Sequence, residues 1–482
     1  MRDFRHIFHI IGLLLCIQSI AMLIPMVVDI IYKNSDWQIF LFSSFFTFTI
    51  GLILYFSFNQ KKEKINLREA FVLTVFSWII IAIFSSLPFI YSTSYLNFTD
   101  AFFESISGIT TTGATVITNL DSLSEGILIW RSLLQWFGGI GIIVLALAIL
   151  PTLQIGGMQL LHMEHDDPYE KTLPKINQFV LEIFILYLFL TFICSSLYFF
   201  AGMDGFDSIA HSMTTISTGG FSTHNRSFEI FNSINIELVS ILFMIIGSLP
   251  FVIYLKIIHG DWKSFFKDEQ IKLFLKLIIL LIFFVTLWMI INNNIDFLYA
   301  LRVSSFNVIS ILTGTGFTSA NFNSWGSFVL IIMFIVMFIG GCAGSTTGGI
   351  KIFRLQLLFK GAQTQIKRLT QPHGVFVTSF NGKTVEDNTF SSIMGFFFTY
   401  ILIFIASAII VSFFGLDFLS SISAAASAIS NVGPGLGEII GPNGNYSSIS
   451  MGAKWTLSLT MLIGRLELFT FLVLLSLKFW KK

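Results

Sequence analysis

The sequence predicts an all-α polytopic membrane protein: an N-terminal two-helix hairpin, then four units of helix, half-helix, loop and helix set around one axis. Three observations carry this. Only 11% of the 482 residues are charged while 54% are hydrophobic, whereas soluble domains carry about 25% charged residues. Ten apolar runs approach or exceed the length needed to cross a bilayer, about 20 residues. A cluster rich in Ser, Thr and Gly recurs four times along the chain.

The same composition excludes a soluble enzyme and a disordered chain, and a net charge of +1 gives no basic footprint for nucleic acid. The three cysteines, Cys16, Cys194 and Cys342, sit in apolar stretches without zinc spacing and read as small buried hydrophobes.

The runs cover residues 7–31, 38–58, 71–91, 127–150, 179–201, 236–258, 273–291, 327–360, 393–414 and 455–480. The first is too long for a signal peptide and has no small-residue cleavage site. The eighth breaks after Phe328–Ile339 into Gly340-Gly341-Cys342-Ala343-Gly344-Ser345-Thr346-Thr347-Gly348-Gly349 and resumes at Ile350. With both termini cytoplasmic, 22 of the 28 Lys and Arg residues fall on the inner side, as basic residues prefer. The outer segments are net acidic, which concentrates cations at their mouth.

Four outer loops share one internal order. A short segment opens near an acid, at Asp100–Ile109, Asp207–Ile216, Asp296–Leu312 and Asp417–Ile429. These are too short or too polar to span and suit re-entrant half-helices. Each leads into a cluster: Thr110-Thr111-Thr112-Gly113, Ser217-Thr218-Gly219-Gly220-Phe221, Thr313-Gly314-Thr315-Gly316-Phe317, and Ser430-Asn431-Val432-Gly433. Gly113, Gly220, Gly316 and Gly433 are 107, 96 and 117 residues apart. The units are therefore 69–150, 179–258, 272–360 (with an intramembrane loop, 340–349) and 391–480, after a hairpin over 1–60. Non-helical backbone at membrane depth must be packed in protein or line a wet cavity. Four such loops in one chain suggest a pseudo-fourfold arrangement around one ion pore, lined by backbone carbonyls that replace a monovalent cation's hydration shell. Small residues that merely let helices pack closely are the simpler reading of any single cluster.

These residues resemble the Trk/Ktr/HKT superfamily of potassium transporters. The likeness runs over essentially the whole chain, and Glu104–Thr115 and Gly340–Lys351 carry it most specifically. The extra hairpin favours the bacterial TrkH/TrkG branch. The resemblance implies a filter made of Thr111, Thr112, Gly113, Thr218, Gly219, Gly220, Phe221, Thr315, Gly316, Phe317, Asn431, Val432 and Gly433. Potassium would be held by the carbonyls of Thr112, Gly113, Gly220, Thr315, Gly316, Val432 and Gly433. Glycine at all four key places implies preference for potassium, since a serine at the first goes with sodium permeation. A homodimer is implied too, as is a cytoplasmic nucleotide-binding TrkA-type regulatory ring, with the inner segments 151–178 and 361–390 as its docking surfaces.

Two features suit a gate. Gly340, Gly341, Gly344, Ser345, Thr346, Thr347, Gly348 and Gly349 read as an intramembrane loop lying across the pore, or as a packing kink between helix halves. Arg465 lies within the tenth run, where insertion costs at least about 2.5–3.5 kcal/mol. It should face a wet pore or pair with an acid. Glu467 is two residues away and does not share its face. Arg131 and Arg302 read as interfacial anchors or as partners of acids such as Glu104.

Gly344-x4-Gly349-Ile350-Lys351 only approaches a phosphate loop, so no nucleotide site is expected in this chain. His162-Met163-Glu164-His165-Asp166-Asp167 reads as a solvated inner loop rather than a metal site, and His6 and His9 as packing residues. The expected function is potassium-selective uptake across the bacterial inner membrane through a gated pore, in contact with lipid and without enzymatic activity. The alternative is strict coupling to protons or sodium, which needs an embedded titratable group; Asp29, Glu104, Glu182 and Glu467 are the candidates.

Overall fold

A computed structural model describes residues 5–58, 66–93, 95–145 and 174–481. The inner-loop cluster at 162–167 and most of 151–178 lie outside these residues. Seven helices among them are long and apolar enough to cross a membrane, and two bent pairs raise that to nine.

The hairpin comprises α1 (Arg5–Ala21), α2 (Leu23–Tyr32) and α3 (Trp37–Ser57). Gly12 and Gly51 face each other here: a Cβ on Gly12 would stand 2.7 Å from the Gly51 carbonyl oxygen. Small residues let the helix backbones approach this closely in a medium that offers little hydrophobic drive between helices. Polar contacts fasten the hairpin to the first unit. Gln18 donates to Ser85 at 2.8 Å, and the Asp29 carboxylate accepts from the Gly126 amide at 2.8 Å. His6 and His9 stack near Tyr55, packing as expected.

Unit 1 holds α4 (Leu67–Ser85), α5 (Leu87–Tyr91), the half-helix α6 (Phe98–Ile109) and α7 (Glu125–Val144). Unit 2 holds α8 (Pro174–Phe200), the half-helix α9 (Gly205–Ile216), α10 (Ile234–Ser248) and α11 (Phe251–Ile258). After α12 (Lys263–Lys267), unit 3 holds α13 (Glu269–Asn293), the half-helix α14 (Phe297–Leu312), α15 (Ser327–Phe338) and α16 (Ile352–Thr370). A small hairpin follows, β1 (Ser379–Phe380) against β2 (Lys383–Thr384). Unit 4 holds α17 (Asp387–Phe413), the half-helix α18 (Phe418–Ser430), α19 (Met451–Arg465), α20 (Phe469–Leu475) and α21 (Leu477–Trp480).

The units close head to tail. The helix after each loop packs on the next unit's half-helix: α7 on α9, α10 on α14, α15 on α18, and α19 back on α6. The half-helices are the buried centre, with Ala101 to Ile109 of α6 all buried.

Two apolar runs that read as continuous are broken. α10 and α11 meet at 93°, where Pro250 lacks an amide hydrogen and holds Leu249 extended (φ −89°, ψ 159°). α19 and α20 meet at 116° at Glu467, which has φ +57° and pairs with Arg354 at 2.7 Å.

Candidate functional site

Each half-helix starts on an acid or amide and ends in the same turn. Asn97, Asp204, Asp296 and Asp417 cap the four N-termini by accepting backbone amides. The first two helices thus start just before Asp100 and Asp207, which sit in the first turn. At the other end Thr111, Thr218, Gly314 and Asn431 have φ of +51°, +50°, +68° and +57°. The next residue's amide then reaches back five residues: Thr112 to Ser107 and Val432 to Ser427, with Gly219 to Thr214 and Thr315 to Ser310 between. This is the Schellman closure, four times over. Glycine and asparagine suit the left-handed turn, but Thr111 and Thr218 are β-branched and strained there.

Two residues on, φ turns positive again, at Gly113 (+83°), Gly220 (+80°), Gly316 (+80°) and Gly433 (+103°). Only glycine takes this alternation freely. Only glycine also leaves space for the neighbour. A Cβ on Gly113 would stand 2.3 Å from the Gly219 oxygen, on Gly220 1.7 Å from the Thr315 oxygen, on Gly316 2.0 Å from the Val432 oxygen, and on Gly433 2.6 Å from the Thr112 oxygen. The carbonyls of Thr112, Gly219, Thr315 and Val432 therefore form a closed ring in the order of the units. A second ring lies in the loops that follow. Leu120 donates to Asn225 (3.0 Å), Phe228 to Thr318 (3.0 Å), Asn323 to Gly437 (2.7 Å) and Tyr446 to Thr115 (2.8 Å).

The thirteen residues expected in the filter lie in or directly after these four turns, and two carbonyls stand differently from the expected set. Gly219, left out of that set, contributes a ring oxygen. The Gly433 oxygen, included in it, accepts from Ser427 at 2.8 Å and Tyr446 at 2.9 Å, so its lone pairs are spent on protein. Phe317 offers its carbonyl to Ser310 at 2.6 Å, and the Phe221 ring lies under the Arg131 guanidinium at 4.1 Å. Arg131 also pairs with buried Glu104 at 2.8 Å. Glu104 in turn accepts from the Val116 amide at 2.9 Å. Arg302 pairs with Glu237 rather than anchoring alone.

The loop after α15 lies against the inner ends of two half-helices. Its neck is closed by a parallel bridge between Ile339 and Ile350. The Thr346 hydroxyl lies 3.1 Å from the Ile216 oxygen and 3.1 Å from the Thr218 hydroxyl. A Cβ on Gly348 would stand 2.3 Å from the Ser430 oxygen. The loop also satisfies the break between α10 and α11: Cys342 donates to the Ser248 oxygen at 2.9 Å, and Gly344 accepts from Phe251 at 3.0 Å. Gly340, Gly341, Ser345, Thr347 and Gly349 pack within it: Ser345 and Thr347 hydroxyls meet at 2.9 Å, and a Cβ on Gly340 would strike the Gly348 oxygen. Arg465 donates to the Thr346 carbonyl at 2.9 Å and to the Gly138 carbonyl at 3.4 Å. It is 2% exposed and has no carboxylate partner among the described residues. The expected alternative of an ion pair with an acid is thus replaced by backbone contacts.

The whole chain has relatives of known kind. The TrkH family, described as cation transport proteins, matches residues 37–482.

The chain belongs to the TrkH family.

Among relatives of this TrkH-family chain, the Trk system potassium uptake protein TrkI of Halomonas elongata is 36% identical over 100% of this chain and 98% of its own length. The Trk system potassium uptake protein TrkH of Escherichia coli is 38% identical over 99% of this chain and 100% of its own length. The crystal structure of the potassium transporter TrkH from Vibrio parahaemolyticus superposes with a TM-score of 0.93 at 36% identity, covering 100% of both chains. The family is one of multi-pass membrane transporters, not enzymes.

Sequence reasoning missed two parts of this TrkH-family site. Gln135 and Tyr446 reach the loops from 84 and 13 residues away, and no local pattern announces them. In the loops that follow the first two turns His224 bridges Asp121 at 2.8 Å and Asp207 at 3.0 Å. The hydrogen bond to Asp207, with that to Asp121 behind it, holds the imidazole above its ordinary value against partial burial.

Proposed function

We propose that this chain takes up potassium selectively across the bacterial inner membrane through a gated pore, both termini cytoplasmic. The supporting observation is the closed ring of the Thr112, Gly219, Thr315 and Val432 carbonyls against four glycines. A dehydrated monovalent cation needs such a cage of neutral oxygens, and a rigid cage disfavours an ion of another size. The half-helices direct their C-terminal, partially negative ends toward the space below the ring and favour a cation there without a fixed anion.

The loop 340–349 is the gate in this reading, and Arg465 is its latch. The guanidinium holds the Thr346 carbonyl, and its charge opposes a cation in the same water-poor space. At roughly 5 Å and an effective dielectric near 20 that repulsion is on the order of 3 kcal/mol. Opening moves the loop aside. A homodimer, with a TrkA-type nucleotide-binding ring docked on 151–178 and 361–390, supplies the force. Strict ion coupling finds little to work with. Glu104 and Glu467 are committed to Arg131 and Arg354, Asp29 holds a backbone amide, and Glu182 lies exposed on the outside of α8.

The test is rubidium-86 uptake into potassium-loaded proteoliposomes, competed by external potassium, sodium and lithium. Competition by potassium and rubidium alone, weakened by Gly113→Ser, is the expected result. Equal competition by sodium, or an unchanged ratio in Gly113→Ser, overturns the filter assignment.

A further inference from the structure

We propose that Gln135 is a positioning residue of the filter: α7 of unit 1 lends its side chain to the second strand, fixes the Gly219 carbonyl, and so sets the preference for potassium over sodium. This rests on the carbonyl-ring reading above and goes beyond it by assigning the determinant of one quarter of the ring.

The four strands are not equal at the residue before the key glycine. Three carry a side chain there, Thr112, Thr315 and Val432, and the second carries Gly219. The missing side chain does not leave a void. A Cβ built on Gly219 would stand 2.4 Å from both Cδ and Oε1 of Gln135 and 2.9 Å from its Cβ. A neighbouring helix fills the place that the strand itself leaves open.

The strands also differ in what holds them. In units 3 and 4 a half-helix serine six residues before the key glycine braces its own strand, Ser310 on Phe317 and Ser427 on Gly433. The matching residue in unit 2 is Thr214, and its hydroxyl turns back on its own helix to the Ala210 and His211 carbonyls. Gln135 does the bracing instead. Its Nε2 donates to the Gly219 oxygen at 2.6 Å and its Oε1 accepts from the Phe221 amide at 2.9 Å. The two bonds flank Gly220. They also settle which way the amide points, since the reverse would set oxygen on oxygen and N–H on N–H. One turn earlier on the same face of α7, Arg131 donates to the Ser222 oxygen at 2.8 Å. The second strand is thus moulded by the preceding unit, and Gly219 is the ring carbonyl with a side-chain amide fixed upon it.

A buried amide held at both ends keeps its place because either partner left unsatisfied is costly. Without it the strand regains freedom, and the ring can adapt to a smaller ion.

The experiment measures the potassium-to-sodium competition ratio for rubidium-86 uptake by the purified full chain in proteoliposomes. The variants are Gln135→Leu, Gln135→Glu, Gln135→Ala, Gly219→Ala, the double variant Gln135→Ala with Gly219→Ala, and Gly220→Ala as the filter control. Gln135→Leu should lower the ratio about tenfold, the equivalent of one buried hydrogen bond. Gln135→Glu keeps the acceptor for Phe221 but sets an oxygen against the Gly219 carbonyl, and should lower the ratio at least as far. It is read in place of the leucine variant if that one fails to purify. Gly219→Ala alone should also lose selectivity, because its methyl collides with Gln135. The double variant, which returns a side chain to the strand and removes the Cδ and Oε1 that it would meet at 2.4 Å, leaving only the 2.9 Å approach to Cβ, should recover above both of its parents; a purely structural role for Gln135 predicts no such reciprocal rescue in the ratio. An unchanged ratio in the Gln135 variants beside a lowered one in Gly220→Ala overturns this inference and leaves the filter reading standing. An unchanged ratio in Gly220→Ala as well overturns both.

Discussion

An alanine series around the ring should grade selectivity chiefly by distance to the facing oxygen. The four glycines share a positive φ, so each alanine bears similar strain, roughly 1–2 kcal/mol. What differs most is the carbonyl each methyl meets, with Pro434 Cδ a second contact, at 2.7 Å, for Gly316. To regain ordinary contact near 3.4 Å, the facing oxygen must retreat by about 1.7 Å for Gly220→Ala, 1.4 Å for Gly316→Ala, 1.1 Å for Gly113→Ala and 0.8 Å for Gly433→Ala. An oxygen moved that far no longer touches the ion. The loss is comparable to a hydrogen bond to a charged group, about 1.5–3 kcal/mol, or roughly ten- to 150-fold in preference. Gly433→Ala belongs at the mild end and Gly220→Ala at the severe end. The assay is rubidium-86 uptake with graded external sodium, scored as the ratio of half-inhibiting sodium to potassium. Four equal losses, or a Gly433→Ala worse than Gly220→Ala, would refute the head-to-tail ring; no loss in any variant would remove the filter from these residues altogether.

Three further outcomes are expected. Arg465→Ala frees the Thr346 carbonyl from a charge-assisted bond, worth about 1.5–3 kcal/mol, so basal rubidium flux should rise about tenfold or more; flux unchanged both here and on shortening 340–349 would end the gate proposal. Glu104→Gln breaks a buried pair with Arg131 and should cost about 3–5 kcal/mol, read as a lowered thermal unfolding midpoint in detergent; an unmoved midpoint contradicts the assignment. The His224 clasp depends on pH. Its imidazole is raised above 6.5 by Asp207 and Asp121, so the clasp contributes fully below 6.5 and fades as pH rises through the raised value. Hydrogen exchange at 119–123, corrected for intrinsic rate, should quicken across that window, and His224→Gln should abolish the change.

Much of this architecture was legible because the half-helices carry local signals. Their ends at Ile109, Ile216 and Leu312 follow from Ser/Thr and Gly closing a helix. Their starts are less sharp, because unit 1 uses Asn97 as cap and puts its acid in the first turn. The break at Leu249 had a sign in Pro250, hidden in a run apolar enough to read as one span. The break at Glu467 had none. Its geometry depends on Arg354, 113 residues away. Gln135 is the extreme case: Gly219 in a place where the other strands carry a side chain is its sole trace in the sequence.

The ring is written once along a single polypeptide. In an assembly of four identical chains each codon change strikes every quadrant at once, and selection can accept or reject only the fourfold result. Here Thr112, Gly219, Thr315 and Val432 are independent letters. One quadrant has its side-chain place filled by a neighbour's Gln135, and another carries a hydrocarbon where two carry a hydroxyl, while the circuit of oxygens stays closed. A ring of this construction can be altered one quarter at a time.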